Sequence, residues 1–203
     1  MRIYLCGIES ALCSAWRDQC SHLPGVSILE SSLFEVDVDA IVSPANSFGF
    51  MDGGIDLQIS EFFDWEIEKR VKAAIEHKHF GELLVGQAEL IHTGHAVYPY
   101  LITAPTMRMP EVLPADTINP YLATRAVLQL LVYGRTLIDG EELAVNRIIK
   151  SIAIPGMGTG IGGVAYERCA RQMALAIRDV LVEPAGMPPS WDDATDRYLE
   201  LQQ

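Results

Sequence analysis

Asp39-Ala40-Ile41-Val42-Ser43-Pro44-Ala45-Asn46, followed after six residues by Gly53-Gly54-Ile55-Asp56, is the stretch whose reading decides the fold. Residues 38–42 form an apolar run of strand length, and residues 57–63 read as the start of a helix. A strand therefore delivers the intervening loop to a helix. The loop carries Asn46, Asp52 and Asp56 together with Gly49, Gly53 and Gly54. Such residues fill no core and suit a backbone that wraps closely around a polar ligand. A solvated turn is the plainer reading, but a Gly-Gly pair opening a helix also exposes amides that bind anions.

Outward from that loop, strand and helix patterns alternate. Residues 2–7 and 26–30 read as strands, with a helix over 10–20 between them, and the strand before the loop is predicted over 36–42. A surface helix is predicted over 65–75 with Asp64 as its N-cap. Strands at 87–92 and 100–104 follow, then an irregular Pro-rich loop over 105–114. A long helix is predicted over 119–135, with Pro120 at its first position and Leu122, Ala126, Leu130 and Tyr133 on its apolar face. Asp139 to Glu142 read as a connecting loop, 148–154 as the last core strand, and 165–181 as the last helix. Residues 1–183 thus form one domain, and 184–203 a Pro-rich, acidic tail around Trp191 that is docked or partly disordered. The alternation argues for a layered α/β sandwich whose sheet is mostly parallel or mixed. Ligands of such sheets sit beyond the carboxyl ends of the strands.

A second glycine-rich loop leaves the last strand. Pro155-Gly156-Met157-Gly158-Thr159-Gly160-Ile161-Gly162-Gly163 places five glycines in eight residues before a helix. It satisfies G-x-G-x-x-G, and Glu183 falls twenty residues beyond Gly163, so a dinucleotide-binding dehydrogenase is a candidate. That fold needs further strands after the motif, and here only a helix and a Pro-rich tail remain. The surviving inference is physical. Successive glycine amides near a helix start suit a phosphate or diphosphate, with Thr159 able to add a hydrogen bond.

Composition narrows the partners. With 15 Lys and Arg against 27 Asp and Glu, the net charge is −12. Its field repels nucleic acid and anionic membranes, so nucleic acid is disfavoured as a general partner. A phosphate ligand would have to be held by amides and helix ends. No apolar run reaches the roughly 18 residues of a membrane span, and the first residues are too strand-like for a signal peptide, so the expectation is a cytoplasmic protein. Cys6, Cys13, Cys20 and Cys169 include no Cys-x-x-Cys pair and read as buried free thiols. His92 and His95 flank Gly94 with Glu89 the only nearby ligand type, so no metal site is expected. Arg108, after a strand end, is a candidate for a ligand phosphate or carboxylate.

Taken together, the 39–46 and 53–56 segments and residues 152–162 resemble the macrodomain family, whose D-A-I-V-N-A-A-N loop ends in Gly-Gly-Val-Asp and is followed about a hundred residues later by a P-A-x-S-T-G-I-x-G loop. The resemblance covers about residues 26–181. It implies a three-layer α/β/α sandwich with a mixed, mostly parallel sheet that binds ADP-ribose, with no cofactor. Some members hydrolyse ADP-ribose conjugates, of the mono-ADP-ribosyl or O-acetyl-ADP-ribose type. It implies ligand contacts from Ser32, Leu33, Asn46, Gly53, Gly54, Ile55, Gly158, Thr159, Gly160, Ile161 and Gly162. Asp56 and Asn46 are the catalytic candidates, Asp56 as the general base for a water near the anomeric carbon and Asn46 at the distal ribose. Ser43 stands where the family has its first asparagine, Gly156 and Gly158 replace alanine and serine, and Gly162 takes a position often aromatic. Ser32 aligns with the adenine-recognising aspartate, for which Glu30 is a nearby substitute. The alternatives are a non-catalytic reader of ADP-ribosylated partners and a pocket retuned to another phosphate-containing nucleotide metabolite.

Overall fold

The computed structural model describes residues 1–138 and 140–203. Six strands form the main sheet: β1 (Arg2–Gly7), β2 (Val26–Glu30), β3 (Ala40–Ser43), β4 (Glu89–His92), β5 (Tyr100–Thr103) and β8 (Ser151–Ile154). Their order is β2-β1-β8-β3-β5-β4, all parallel except β4, which runs antiparallel to β5. The sheet is therefore mixed and mostly parallel, as the sequence predicts. Its inner strands read as continuous apolar runs because both faces are covered.

Alternation along β3 assigns the two faces. Ala40 and Val42 point into one core with Leu12 and Trp16 of α1 (Ser10–Cys20), Val127 of α4 (Asn119–Tyr133) and Met173 of α6 (Tyr166–Ile177). Ile41 points into the other, with Ile59 of α2 (Gly54–Phe62) and Ile67, Val71 and Ile75 of α3 (Glu66–His79). The three layers follow from this period of two. All four cysteines are free and buried within these layers, and burial pushes the thiols of Cys6, Cys20 and Cys169 up to about 12.

Several local expectations are corrected. The stretch read as a connecting loop belongs to a hairpin of β6 (Arg135–Ile138) and β7 (Glu141–Ala144), with Gly140 at φ +82°; Asp139 lies outside the described residues. The long helix stops at Tyr133, before Gly134, and its buried arc keeps Ala126 of the predicted face, with Leu130 half-buried, but is centred on Ala123, Val127 and Leu131. Packing on both the sheet and α6 sets that arc, and it leaves Tyr133 77 % exposed. The strand before the first loop is confined to β3, preceded by a 3-10 turn at Leu33–Glu35, and a short helix α5 (Val145–Ile148) precedes β8. Asp64 does not cap α3: Asp64 and Trp65 are both left-handed, and Trp65 occupies the cap position. The tail is ordered into α7 (Trp191–Gln202), tied to α6 by Gln172 Nε2 donating to the Leu201 carbonyl at 2.7 Å. No helix among the described residues is long and apolar enough to cross a membrane.

Asp39 sets where β8 lies beside β3. Its Oδ2 accepts from the Lys150 amide (2.8 Å), the Ser151 amide (2.9 Å) and Ser151 Oγ (3.0 Å), and its own amide donates to Ser151 Oγ (3.1 Å). Charge-assisted bonds of this kind contribute more than neutral ones. We expect Asp39→Ala to lower stability by about 2 kcal/mol, roughly 4–8 °C in Tm for a chain of this size. A thermal melt checks this; an unchanged Tm would show that other contacts hold the register.

Candidate functional site

Segments that follow the carboxyl ends of β1, β2, β3, β5 and β8 meet at one end of the sheet. They enclose a crevice of about 1050 Å³, its open mouth included, lined among others by Ser31–Leu33, Pro44–Asn46, Asp52–Asp56, Thr106–Met107 and Gly158–Gly162. Every residue that the family resemblance implies as a ligand contact or catalytic candidate lies on this wall, whereas Arg108 and Glu30, the two further candidates, do not.

The first loop is shaped by Asn46. Its Nδ2 donates to the Phe50 carbonyl (2.7 Å), while Oδ1 accepts from the Phe48 (3.1 Å) and Phe50 (3.3 Å) amides. One amide hydrogen remains to face a ligand. Gly49 sits at φ +71° against Val71 and Ile75, where a Cβ would come within 2.8 Å of Val71. The loop then enters α2 through an extended Gly53, with no side-chain cap on the helix. The first amides of α2 therefore have no intrahelical partner and open onto the crevice.

The second loop has no room for a side chain at Gly156 or Gly162. A Cβ on Gly162 would fall 2.5 Å from the Gly158 carbonyl, in space already taken by Leu113 and Met107. The Leu113 amide also donates to the Gly162 carbonyl at 2.9 Å. The aromatic residue that the family pattern places here is thus excluded by the backbone itself. Thr159 folds back over Gly156, which has no room for a Cβ either. The two loops approach where Ile161 Cδ1 lies 3.5 Å from the Cβ position of Gly53.

Asp56, in the first turn of α2, is buried at 7 % exposure. Its Oδ1 accepts from Ser43 Oγ at 2.6 Å, and Oδ2 has no hydrogen-bond partner among the described residues. Burial pushes its carboxyl up to about 7, and the Ser43 hydrogen bond pulls it partly back. No lysine or arginine is among the lining residues, whereas Glu9, Asp52 and Asp56 are. Any anion here would be held by amides.

At the far end, Ser32 caps the Leu33–Glu35 turn: Ser32 Oγ accepts from the Phe34 amide (3.3 Å), and Glu35 accepts from the Ser32 amide (3.1 Å). Glu30 is paired with Ser10 and Arg17 and lies off the crevice wall. Arg108 is likewise turned away. It forms a two-pronged pair with Glu82 (2.6 and 3.3 Å) and stacks over Phe48. His95 accepts from the Val97 and Tyr98 amides and packs on Phe62 and Phe63, while His92 lies edge-on to Tyr100. The described residues hold no cluster of three or more His, Cys, Asp and Glu suited to a metal ion. The Gly7–Glu9 turn, Leu12 and Pro110 also line the crevice and were missed, although the first follows the carboxyl end of β1, where the general rule for parallel sheets would look.

Comparison with known proteins agrees with this geometry. A family model described as Macro domain matches residues 42–173. An uncharacterised protein of Aquifex aeolicus is 39 % identical over 153 residues, covering 75 % of this chain and 81 % of that protein. A DNA ADP-ribosyl glycohydrolase of Mycobacterium tuberculosis is 26 % identical over 160 residues, spanning 78 % of this chain but 40 % of that protein. A solved structure of Thermosipho africanus DarTG in complex with ADP-ribose matches with a TM-score of 0.57 at 17 % identity, over 75 % of this chain and 37 % of that one.

The raised carboxyl of Asp56 has a consequence for stability. A folded-state value near 7, above the unfolded value of about 3.9, stabilises the fold at low pH, and that contribution is lost as pH rises through about 7. Asp56→Asn cannot ionise. Its stability relative to the parent should therefore grow between about pH 4 and 7 and level off above, reaching a few kcal/mol at 1.36 kcal/mol per unit. Urea unfolding at pH 5 and pH 8 measures this, and a difference that does not change with pH would contradict a buried, ionising Asp56.

Proposed function

The chain belongs to the macro domain family, and from that premise we propose that its crevice binds ADP-ribose and hydrolyses ADP-ribose conjugates through Asp56. The observation that carries the proposal is the convergence of three features on one wall: an uncapped helix start, a glycine loop with no room for a side chain at Gly156 and Gly162, and a buried carboxylate. The diphosphate lies between Gly158–Gly162 and the first amides of α2, neutralised by backbone N–H groups rather than cations. The adenosine points toward Ser31–Leu33, and the distal ribose toward Asn46 and Asp56. The likeness to the Thermosipho africanus protein, solved with ADP-ribose, supports this ligand class.

In the hydrolytic step, Asp56 Oδ2 accepts a proton from a water while the water oxygen bonds to the anomeric carbon. The bond from that carbon to the leaving group breaks, and the leaving group takes up the proton from Asp56 Oδ2, which restores the carboxylate. A carboxyl near neutrality is suited to this base role at physiological pH. The Mycobacterium tuberculosis relative is named for this chemistry on DNA. With a net charge of −12 and no crevice cation, this chain reads the ADP-ribosyl group and not the polymer that carries it.

A second reading, a reader that binds the modification and leaves it intact, is favoured by one observation: the Asn46 amide is largely engaged by its own loop.

A thermal shift with ADP-ribose, against adenosine monophosphate and ribose 5-phosphate, tests the ligand. At a hundred times Kd the expected gain is about 2.7 kcal/mol, a rise of roughly 5–10 °C. No selective rise would point to another phosphate metabolite. Asp56→Ala should abolish release from mono-ADP-ribosylated protein or ADP-ribosylated DNA, where the anomeric bond is broken, while binding stays measurable; O-acetyl-ADP-ribose, an ester of a ribose hydroxyl, would need the same water delivered to its acetyl carbonyl carbon instead. Undiminished release would remove Asp56 from the mechanism, and no release by the parent protein would leave the reader.

A further inference from the structure

We propose that Ser43 is a positioning residue for this reaction: its hydroxyl, fixed at the end of β3, holds one oxygen of Asp56 so that the other is presented to the crevice as a base. The inference rests on the role given to Asp56 above. Ser43 is fully buried and is the last residue of β3. It pairs with Thr103 of β5, and its carbonyl accepts from the Ala104 amide at 3.0 Å. Its backbone is therefore clamped from the β5 side, and a serine side chain has a single short lever with which to reach. That lever ends 2.6 Å from Asp56 Oδ1. The carboxylate is thus held through Oδ1, and Oδ2, which has no partner among the described residues, is left for the water.

The same bond selects a charge state. A hydroxyl that donates to a carboxylate favours the ionised form, against the burial that favours the protonated one. Few other groups do so. The titratable residues that share the crevice wall are Asp52 on the same loop and Glu9 before α1, both exposed carboxylates, and Cys6 on β1, whose thiol is held up at about 12. β3, β8 and the second loop present no titratable side chain to Asp56. Ser43 keeps its own proton throughout the step: the water's proton goes to Oδ2, and no atom passes through Ser43.

Carboxyl-carbon NMR of Asp56, titrated in the parent protein, Ser43→Ala and Ser43→Thr, tests the hydrogen bond without any substrate. The expected result is a rise in the Asp56 midpoint of about one pH unit in Ser43→Ala, as loss of a single donor to a buried carboxylate implies. Ser43→Thr, which keeps a hydroxyl, should stay near the parent. The acidic limb of the kcat profile should move with the midpoint, giving about a fivefold loss for Ser43→Ala at pH 7 that approaches about tenfold below pH 6 and vanishes by pH 9, with Kd for ADP-ribose unchanged within about twofold. An unmoved Asp56 midpoint, or a loss of kcat equal at every pH, would overturn the proposal. A parent protein that releases nothing while the NMR shift appears would overturn the catalytic reading of Asp56, and Ser43's part in the reaction with it, leaving the hydrogen bond as a feature of the binding site alone.

Discussion

The ladder between β3 and β8 is two residue pairs long, Ala40 with Ile152 and Ile41 with Ala153, and the site depends on where it stops. Past that point β3 stays with β5 as far as Ser43 and Thr103, and β8 stays with β1 as far as Ile154 and Leu5. Two parallel strands that part in this way leave a fork, and the loops they feed become its walls. Asp39, gripping Lys150 and Ser151 at the other end, keeps the strands together where no crevice is wanted. The aspartate that opens the motif thus acts on the architecture, and the aspartate that ends it faces the site.

Given the fork, the glycines set how the proposed anion would be held by an acidic protein. With no lysine or arginine on the wall, an anion would be met by neutral donors, backbone N–H groups with side chains such as Thr159, and glycines let the backbone N–H groups come close. At Gly162 the exclusion works both ways. A side chain there would strike the Gly158 carbonyl, and Leu113 and Met107 already cover the outer side. The Pro-rich segment after β5, which looks like mere irregular connection, is what backs the second loop.

Much of this was legible in the chain because it rests on short-range pattern. The apolar runs at 40–43 and 151–154, the Gly-Gly pair before Asp56 and the glycines at 158–163 each announce a local backbone requirement, and their order places both loops at one end of a parallel sheet. What was not legible depends on partners far along the chain. Arg108 looked available for a phosphate until the fold brought Glu82 to it from 26 residues away. The apolar face of α4 was misjudged because α6 and the sheet together bury a wider arc than one stripe. Ser43 looked like the loss of a family asparagine. Its bond to Asp56 spans thirteen residues, and only the turn through Asn46 and Gly49 brings the two together.

The electrostatics of Asp56 follow from what surrounds it and from what does not. A lysine or arginine beside it would hold the carboxyl well below neutrality, where a carboxylate is a weak base, and would compete with it for the ligand's phosphates. An apolar pocket with no donor would keep it protonated over most of the physiological range, leaving no base at all. A single hydroxyl supplies the intermediate case: it offsets part of the desolvation, adds no charge to the crevice, and fixes the carboxylate's orientation. Leaving an ionisable group so buried costs folding stability above neutral pH, a cost of the kind that functional sites carry and the surrounding core offsets. If Asp56 acts as proposed, the serine in place of the family asparagine exchanges an amide for a hydroxyl while keeping a hydrogen-bond partner on a carboxylate of the crevice wall.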